Sequence, residues 1–370
     1  VALNRRLAHE MARAGRGRWD VTAVAPEFFR GELRPVPLER IADEPCRLEA
    51  VPARFTRRVH VMLYGRRLRQ LLREPWDLVH CWEEPYVLAA GQVARWTPRP
   101  TPIVFWTAQN LSKWYPPPFD WVERYCLKRC AGWLACGESI VQTMLARGYA
   151  CKPHRVMPLG VDLDVFRPNP EAGAEVRRRL GWEAPGPPVV GYLGRFVPEK
   201  GVGFLMKVLD DVTVPWRALF VGGGPMEGEL RRWAERYGDR VAVVTGVKHD
   251  LVPVHLNAMD VLCAPSQTRP RWREQLGRML IEAFACGVPV LASDSGEIPY
   301  VVADAGRVVG EADRPAWVAA LVELLESPSL RDELRGRGLE RVRDHYSWPV
   351  IARRHLDFFD ELLDSKPAPS

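Results

Sequence analysis

Short apolar runs alternate along the chain with longer stretches in which apolar residues return every three or four positions. The first pattern predicts buried strands, the second amphipathic helices, and their alternation an α/β architecture with parallel sheets. In the first half the predicted strands are WDVTAVA, DLVHC, PIVFWT, GWLAC and RVMPLG; in the second they are VVGYLG, RALFVGG, VAVVTG, DVLCAPS, VPVLAS and GRVVG. Between the halves, FRPNPEAGAEVRRRLGWEAPGPP is rich in Pro and Gly and reads as a linker, with the boundary near residue 167. The chain beyond residue 327 reads as two helices parted near Tyr346–Pro349, and the tail SKPAPS as disordered. Leu3, Leu7 and Met11 share one face of an opening helix. A doubly wound sheet usually starts with a strand and a glycine turn before its first helix. That first strand and its turn are therefore expected to be missing. No short repeat is visible, which argues against a solenoid.

Composition narrows the class. The 370 residues are 47% apolar and 26% charged, enough for two globular domains. No apolar run reaches the roughly 18 residues of a membrane span, and the N-terminus lacks the apolar core of a signal peptide, so a cytoplasmic location is expected. The net charge of +6 comes mostly from arginine, since 7 of the 52 basic residues are lysine. The densest basic stretch, residues 54–73, holds Arg54, Arg57, Arg58, Arg66, Arg67, Arg69 and Arg73. Val59, Leu63, Leu68 and Leu72 fall near helical spacing, so an amphipathic helix with a cationic face is predicted. Two readings of that face stay open, plain solvation and peripheral docking on an anionic membrane. No nucleic-acid-binding motif accompanies the charge, so nucleic acid is not an expected partner. The eight cysteines form no CxxC pair and mostly sit in apolar runs, which argues for buried free thiols over a zinc site or disulfide framework.

Candidate chemistry lies between residues 189 and 302. The strand of Gly191-Tyr-Leu-Gly194 is followed by Arg195 and Lys200 before a helix, two cations where open α/β sheets bind ligands. In Phe220-Val-Gly-Gly-Gly-Pro225 the spacing of Gly222, Gly224 and Gly228 differs from a dinucleotide fingerprint, and Pro225 removes an amide; a tight strand–helix turn is the favoured reading. Glu274, Gly277 and Glu282 come after another strand end. Carboxylates suit vicinal hydroxyls of a sugar or ribose, while the amides at a helix start suit phosphate. Glu282 sits inside the apolar string Met-Leu-Ile-Glu-Ala-Phe-Ala, where a charge requires a partner.

Taken in order, GRxxxEKG, GGGP, DVxxxPS, ExxGxxxxE and GxPVxxS resemble the retaining family-4 glycosyltransferases of the GT-B fold. The resemblance spans residues 77–363 and includes PLGVDLDVFRP. The stretches EEPYVLAAGQ, TAQNLSKWYPPPF and WREQLGRMLIEAFACGVPVLASDSGEIPYV resemble a bacterial subgroup of that family. The implied fold has two Rossmann-like doubly wound domains facing across a cleft. Residues 1–166 would form the acceptor-side domain, 167–345 the nucleotide-sugar donor domain, 346–363 a helix crossing back onto the first domain, and 364–370 the tail. By the same resemblance Arg195 and Lys200 grip the donor diphosphate, Glu282 binds the ribose and Glu274 faces the transferred sugar. Gly194 and the amides of Leu276, Gly277 and Arg278 complete the cradle. Many members carry a histidine where this chain has Gln109; His80, Gln109 and Asn110 are the candidates on the acceptor side.

The resemblance implies transfer of a sugar with retained configuration from a nucleotide-diphosphate sugar to a saccharide or lipid-linked hydroxyl, in bacterial polysaccharide, glycolipid or glycoconjugate synthesis. No cofactor and no metal are expected. Asp162-Leu-Asp164 has the DxD pattern of metal-dependent transferases, but its setting matches the family's domain-junction motif. Three alternatives stand beside this reading: a sugar-nucleotide epimerase of similar fold, a dinucleotide-dependent oxidoreductase disfavoured by Pro225, and a truncated, non-catalytic sugar-nucleotide-binding protein.

Overall fold

The computed structural model describes residues 2–30, 35–182 and 185–365. Contacts divide the chain into two compact units, Val1–Gly160 with Trp348–Ser370, and Val161–Ser347. The side chain of Leu3, residues 183 and 184 of the expected linker, and tail residues 366–370 lie outside the described residues.

The first unit runs α1 (Ala2–Ala14), β1 (Thr22–Pro26), β2 (Arg47–Val51), α2 (Arg66–Leu71), β3 (Val79–Cys81), α3 (Leu88–Trp96), β4 (Ile103–Thr107), α4 (Phe119–Arg129), β5 (Cys130–Ala135), α5 (Glu138–Met144) and β6 (His154–Val156). Four parallel strands lie in the order β6-β5-β4-β3, while β1 and β2 form a separate parallel pair. A cavity of about 360 Å³ separates the two sheets, lined by β1, β3, Met11, Leu68 and Phe359. The C-terminal helix Trp348–Asp364 belongs to this unit: Phe359 meets Trp19 with ring centroids 6.0 Å apart, and Arg354 donates to the Val156 carbonyl at 3.1 Å.

The arginine-rich segment is not the single helix its spacing suggests. Ala53–Arg54 pairs antiparallel with Leu63–Tyr64, and only Arg66–Leu71 is α-helical. Phe55 adopts φ +60°, and extended Gly65 donates its amide to the Pro52 carbonyl at 2.7 Å, so the chain reverses twice before the helix starts. Val59, counted on the apolar face, is 40% exposed, while Met62, Leu68 and Leu71 are buried. The periodicity came from a hairpin joined to a short helix, and it leaves no continuous cationic helix face.

In the second unit the expected linker contains a helix, α6 (Pro170–Arg179), capped by the Asn169 side chain on the Ala172 amide at 3.1 Å. A prolyl N1 and an Asn N-cap outweigh the Pro and Gly content that suggested a linker. Then follow β7 (Val189–Arg195), α7 (Val202–Asp211), β8 (Arg217–Gly223), α8 (Glu227–Glu235), β9 (Val241–Thr245), α9 (Val252–Leu256), β10 (Val261–Ala264), α10 (Arg278–Ala285), β11 (Val290–Ser293), α11 (Ile298–Val302), β12 (Arg307–Val309), α12 (Arg314–Glu326) and α13 (Pro328–His345). All six strands are parallel, ordered β9-β8-β7-β10-β11-β12. The central strands are apolar throughout because helices cover both faces; Trp216, Phe220, Trp233 and Trp317 anchor one of those layers. Strand order reverses between β7 and β10, where a doubly wound sheet leaves a crevice at its carboxyl edge.

Candidate donor site

The crevice is built by the loops that leave β7 and β10. The first strand closes on Gly194 and Arg195, and the turn Pro198–Lys200 carries the chain to α7. The second runs through Pro265 and Ser266 into a loop that ends at Gly277, the N-cap of α10. The two loops are stitched together: the Gln267 amide donates to the Glu199 carbonyl at 2.9 Å. Gly201 has φ +69°, and a Cβ there would stand 1.7 Å from the Pro265 carbonyl oxygen, so the close approach requires glycine.

This contact brings together residues far apart in sequence. Lys200 Nζ donates to Glu274 Oε2 at 2.5 Å, and Ser266 Oγ donates to the same oxygen at 2.9 Å. The ammonium also lies 5.2 Å from the centre of the Trp272 ring. Such an ion pair loses hydration, and the serine bond and the aromatic face offset part of that cost. Arg195 is held differently. Its guanidinium is 58% exposed and stands 3.7 Å from Glu199, beyond hydrogen-bond reach, which leaves it available to an anion. Beneath it, Tyr192 donates to the Arg195 carbonyl at 2.8 Å; burial, with the charge of Glu274 nearby, pushes this phenol above its ordinary range and keeps it a neutral donor.

α10 supplies the third part. Gly277 takes φ +74°, turning the chain into a helix whose first amides have no intrahelical acceptors. Leu276 is buried, so its contribution is confined to backbone. One turn along, buried Glu282 accepts from Arg278 at 2.6 Å and contacts His249 Nε2 at 3.1 Å, both at Oε1. Its Oε2 has no partner among the described residues. The partner that the apolar setting of Glu282 required is thus a pair of groups, one of them from outside its own helix. Sequence reasoning missed His249 and gave no role to Ser266. The available signal was position: each follows a strand of this sheet at its carboxyl end.

The glycine turn after β8 is engaged internally, with Phe196 donating to the Gly223 carbonyl at 2.8 Å and the Met226 amide to the Phe196 carbonyl at 3.0 Å. It is a strand–helix turn. Asp162 Oδ1 accepts the Asp164 amide at 3.1 Å within a local turn. Among the described residues no three His, Cys, Asp or Glu side chains gather as a metal-binding group.

The first unit holds its candidate residues otherwise. His80 lies among the rings of Trp82, His355 and Phe359, with centroids 5.3, 5.4 and 5.3 Å away, and burial drives its imidazole well below the ordinary range. Gln109 and Asn110 are buried in the turn after β4, where Gln109 Nε2 donates to the Leu111 carbonyl at 2.6 Å. That turn is held by Glu84, which accepts from Thr107 Oγ1 at 2.6 Å and the Ala108 amide at 2.8 Å. The neighbouring Glu83 is pushed up to about 7 by burial. His80 is thus held by the rings around it, and Gln109 by its own turn.

Two sheet-and-helix units, the second with a phosphate-suited crevice at its switch point, have the architecture of the GT-B class. Family models match the two parts in turn: Glycosyltransferase Family 4 over residues 4–165, and Glycosyl transferases group 1 over residues 177–341. The chain belongs to this glycosyltransferase family. It is 37% identical over 221 residues to the GDP-mannose-dependent alpha-(1-6)-phosphatidylinositol monomannoside mannosyltransferase of Mycolicibacterium smegmatis, covering 57% of each chain. It is 29% identical over 297 residues to the alpha-maltose-1-phosphate synthase of the same organism, 75% of this chain and 73% of that one. The matched part is only 54–57% of the length of the mannosyltransferases it resembles. Sucrose-phosphate synthase from Thermosynechococcus elongatus has the same fold, with a TM-score of 0.71 and 23% identity over 98% of this chain and 93% of that one. So does Anabaena HepE in complex with UDP and glucose, with a TM-score of 0.71 and 16% identity over 96% and 95%. No helix among the described residues is long and apolar enough to cross a membrane.

Proposed function

We propose that the protein transfers a sugar from a nucleotide-diphosphate sugar to a hydroxyl of a saccharide or lipid-linked acceptor, with retention and without a metal ion. The observation that carries this reading is the meeting of Lys200, Glu274 and exposed Arg195 on two strand ends flanking the switch point. An anchored lysine and an exposed arginine beside a bare helix start match the charge of a diphosphate. The free Oε2 of Glu282 offers an acceptor to a ribose diol, and Glu274 one to the hydroxyls of the sugar.

In the reaction the bond from the anomeric carbon to the β-phosphate oxygen breaks, and its electrons stay on that oxygen. Arg195 and Lys200 stabilise the charge where it develops. The acceptor oxygen bonds to the anomeric carbon from the same face, and its proton passes to the departing phosphate. A glycoside and a nucleoside diphosphate result, and no protein nucleophile is used. GDP-mannose and a phosphatidylinositol mannoside, which name the mannosyltransferase relatives, support a nucleotide-sugar donor and a lipid-linked acceptor for this chain. Eight unpaired cysteines support a reducing, cytoplasmic setting.

Calorimetry with UDP-glucose and GDP-mannose tests the donor site. At least one should bind, and Lys200→Ala and Glu282→Gln should each weaken it by roughly ten- to hundredfold, the loss of one charge-assisted hydrogen bond. Equal affinity in both variants, with the fold intact by circular dichroism, would overturn the assignment. Epimerised donor formed without any acceptor would favour the epimerase.

A further inference from the structure

His249 lies in the short turn His249–Leu251 after β9, with its side chain 47% exposed. One edge of the imidazole faces the donor crevice. Nε2 is 2.8 Å from the Arg278 guanidinium and 3.1 Å from Glu282 Oε1, and Arg278 also donates to that oxygen at 2.6 Å. A guanidinium only donates, so toward Arg278 the Nε2 must present its lone pair. A carboxylate only accepts, so Nε2 cannot satisfy both neighbours through one proton. Two guanidinium hydrogens can satisfy the triangle, with Arg278 donating to Glu282 and to His249; in that arrangement a neutral imidazole carries its proton on Nδ1. The Phe166 ring, 5.4 Å away, supports the imidazole. Nδ1 has no partner among the described residues, and the side chain is half-open to solvent.

We propose that His249 selects the nucleobase of the donor, its Nδ1–H donating to a ring carbonyl, so that uracil or guanine is accepted and adenine is not. The inference rests on the donor reading above, in which Glu282 takes the ribose. A ribose on Glu282 puts its base within a few ångströms, and His249 touches that same carboxylate. Uracil and guanine both carry a carbonyl acceptor. Adenine has none: where guanine carries O6 it carries an amino group, which would face the imidazole N–H donor against donor, a mismatch that discriminates more strongly than shape.

The test is calorimetric titration of the whole chain with UDP, GDP and ADP, in the unaltered protein, in His249→Phe and in His249→Gln. The unaltered protein should bind UDP or GDP at least about tenfold more tightly than ADP. His249→Phe keeps an aromatic ring without the donor, and should bring the three nucleotides within about threefold by weakening only the carbonyl-bearing ones. His249→Gln restores an N–H and should recover part of the preference. A preference unchanged in the Phe variant, an equal loss for all three nucleotides, or tighter binding of ADP by the unaltered protein would each overturn the proposal. Failure of all three to bind would remove the donor reading itself, and this inference with it.

Discussion

The second unit sets its candidate site residues at the open ends of its strands; the first encloses its own candidates. Around the β7–β10 crevice, Lys200 pairs with Glu274 and Glu282 with Arg278 and His249, and capacity is left over at the exposed Arg195 and at Glu282 Oε2. In the first unit, Glu84 spends both oxygens on the turn after β4, and Nε2 of His80 and of His355 is buried without a partner among the described residues. The sheets differ likewise, six unbroken strands against four and two with a cavity between. A polar group bonded to its own scaffold positions backbone, whereas one with an open valence can meet a ligand.

The largest test of this contrast is pH. Burial lowers His355 to about 4 and raises Glu83 to about 7, so the two act with opposite signs. Unfolded His355 binds a proton near its ordinary value of about 6.5, so between there and about 4 the unfolded state holds more protons. Its stabilisation is complete above that window and is lost as pH falls through it, by about 3 kcal/mol. Folded Glu83 is already protonated below about 7, so its contribution grows as pH falls toward the ordinary carboxylate value. Denaturant titrations of His355→Leu and Glu83→Gln at pH 7.5 and near 4 should therefore move oppositely: the native chain loses ground against the first and gains against the second. Parallel shifts would mean that these groups are solvated.

A smaller effect separates scaffold from site. Glu84→Ala strips two bonds from the turn that carries Gln109 and Asn110, and should cost about 2 kcal/mol, read by denaturant melts. Nucleotide affinity, read by calorimetry, should not change. A selective loss of nucleotide binding would show that the division between scaffold and site has been drawn wrongly.

The two units were also unequally legible in sequence. Every predicted strand of either half lies on an observed one, but the first half also holds Arg47–Val51, which was not predicted. The second is complete because a parallel sheet covered on both faces needs unbroken apolar runs. Its turns carry special residues for steric reasons, as Gly201 against Pro265 and Gly277 before α10 show. Such constraints leave motifs. The Lys200–Glu274 bond joins residues on separate strands, and only topology shows that they touch. His249 left no motif because its role depends on a neighbour across the sheet. In the first unit, exposure decides what each polar residue does, and sequence does not carry exposure: His80 and Gln109 look like site residues and are enclosed.

The smallest expected effect concerns the arginine-rich segment, whose spacing left plain solvation and membrane docking both open. A continuous cationic helix would set its charges in one plane against anionic lipid. The hairpin at Ala53–Tyr64 and the single turn and a half after Gly65 scatter them instead, and Arg67 is drawn to Glu49 at 3.2 Å. Arg57→Ala with Arg58→Ala removes two exposed side chains that anchor no described element. Stability should change by less than about 0.5 kcal/mol, the usual range for surface substitutions. Co-sedimentation with vesicles containing phosphatidylglycerol should be the same for variant and native chain. A marked loss of binding in the variant would return this segment to the membrane-docking role, and the first unit would then own an open chemical surface after all.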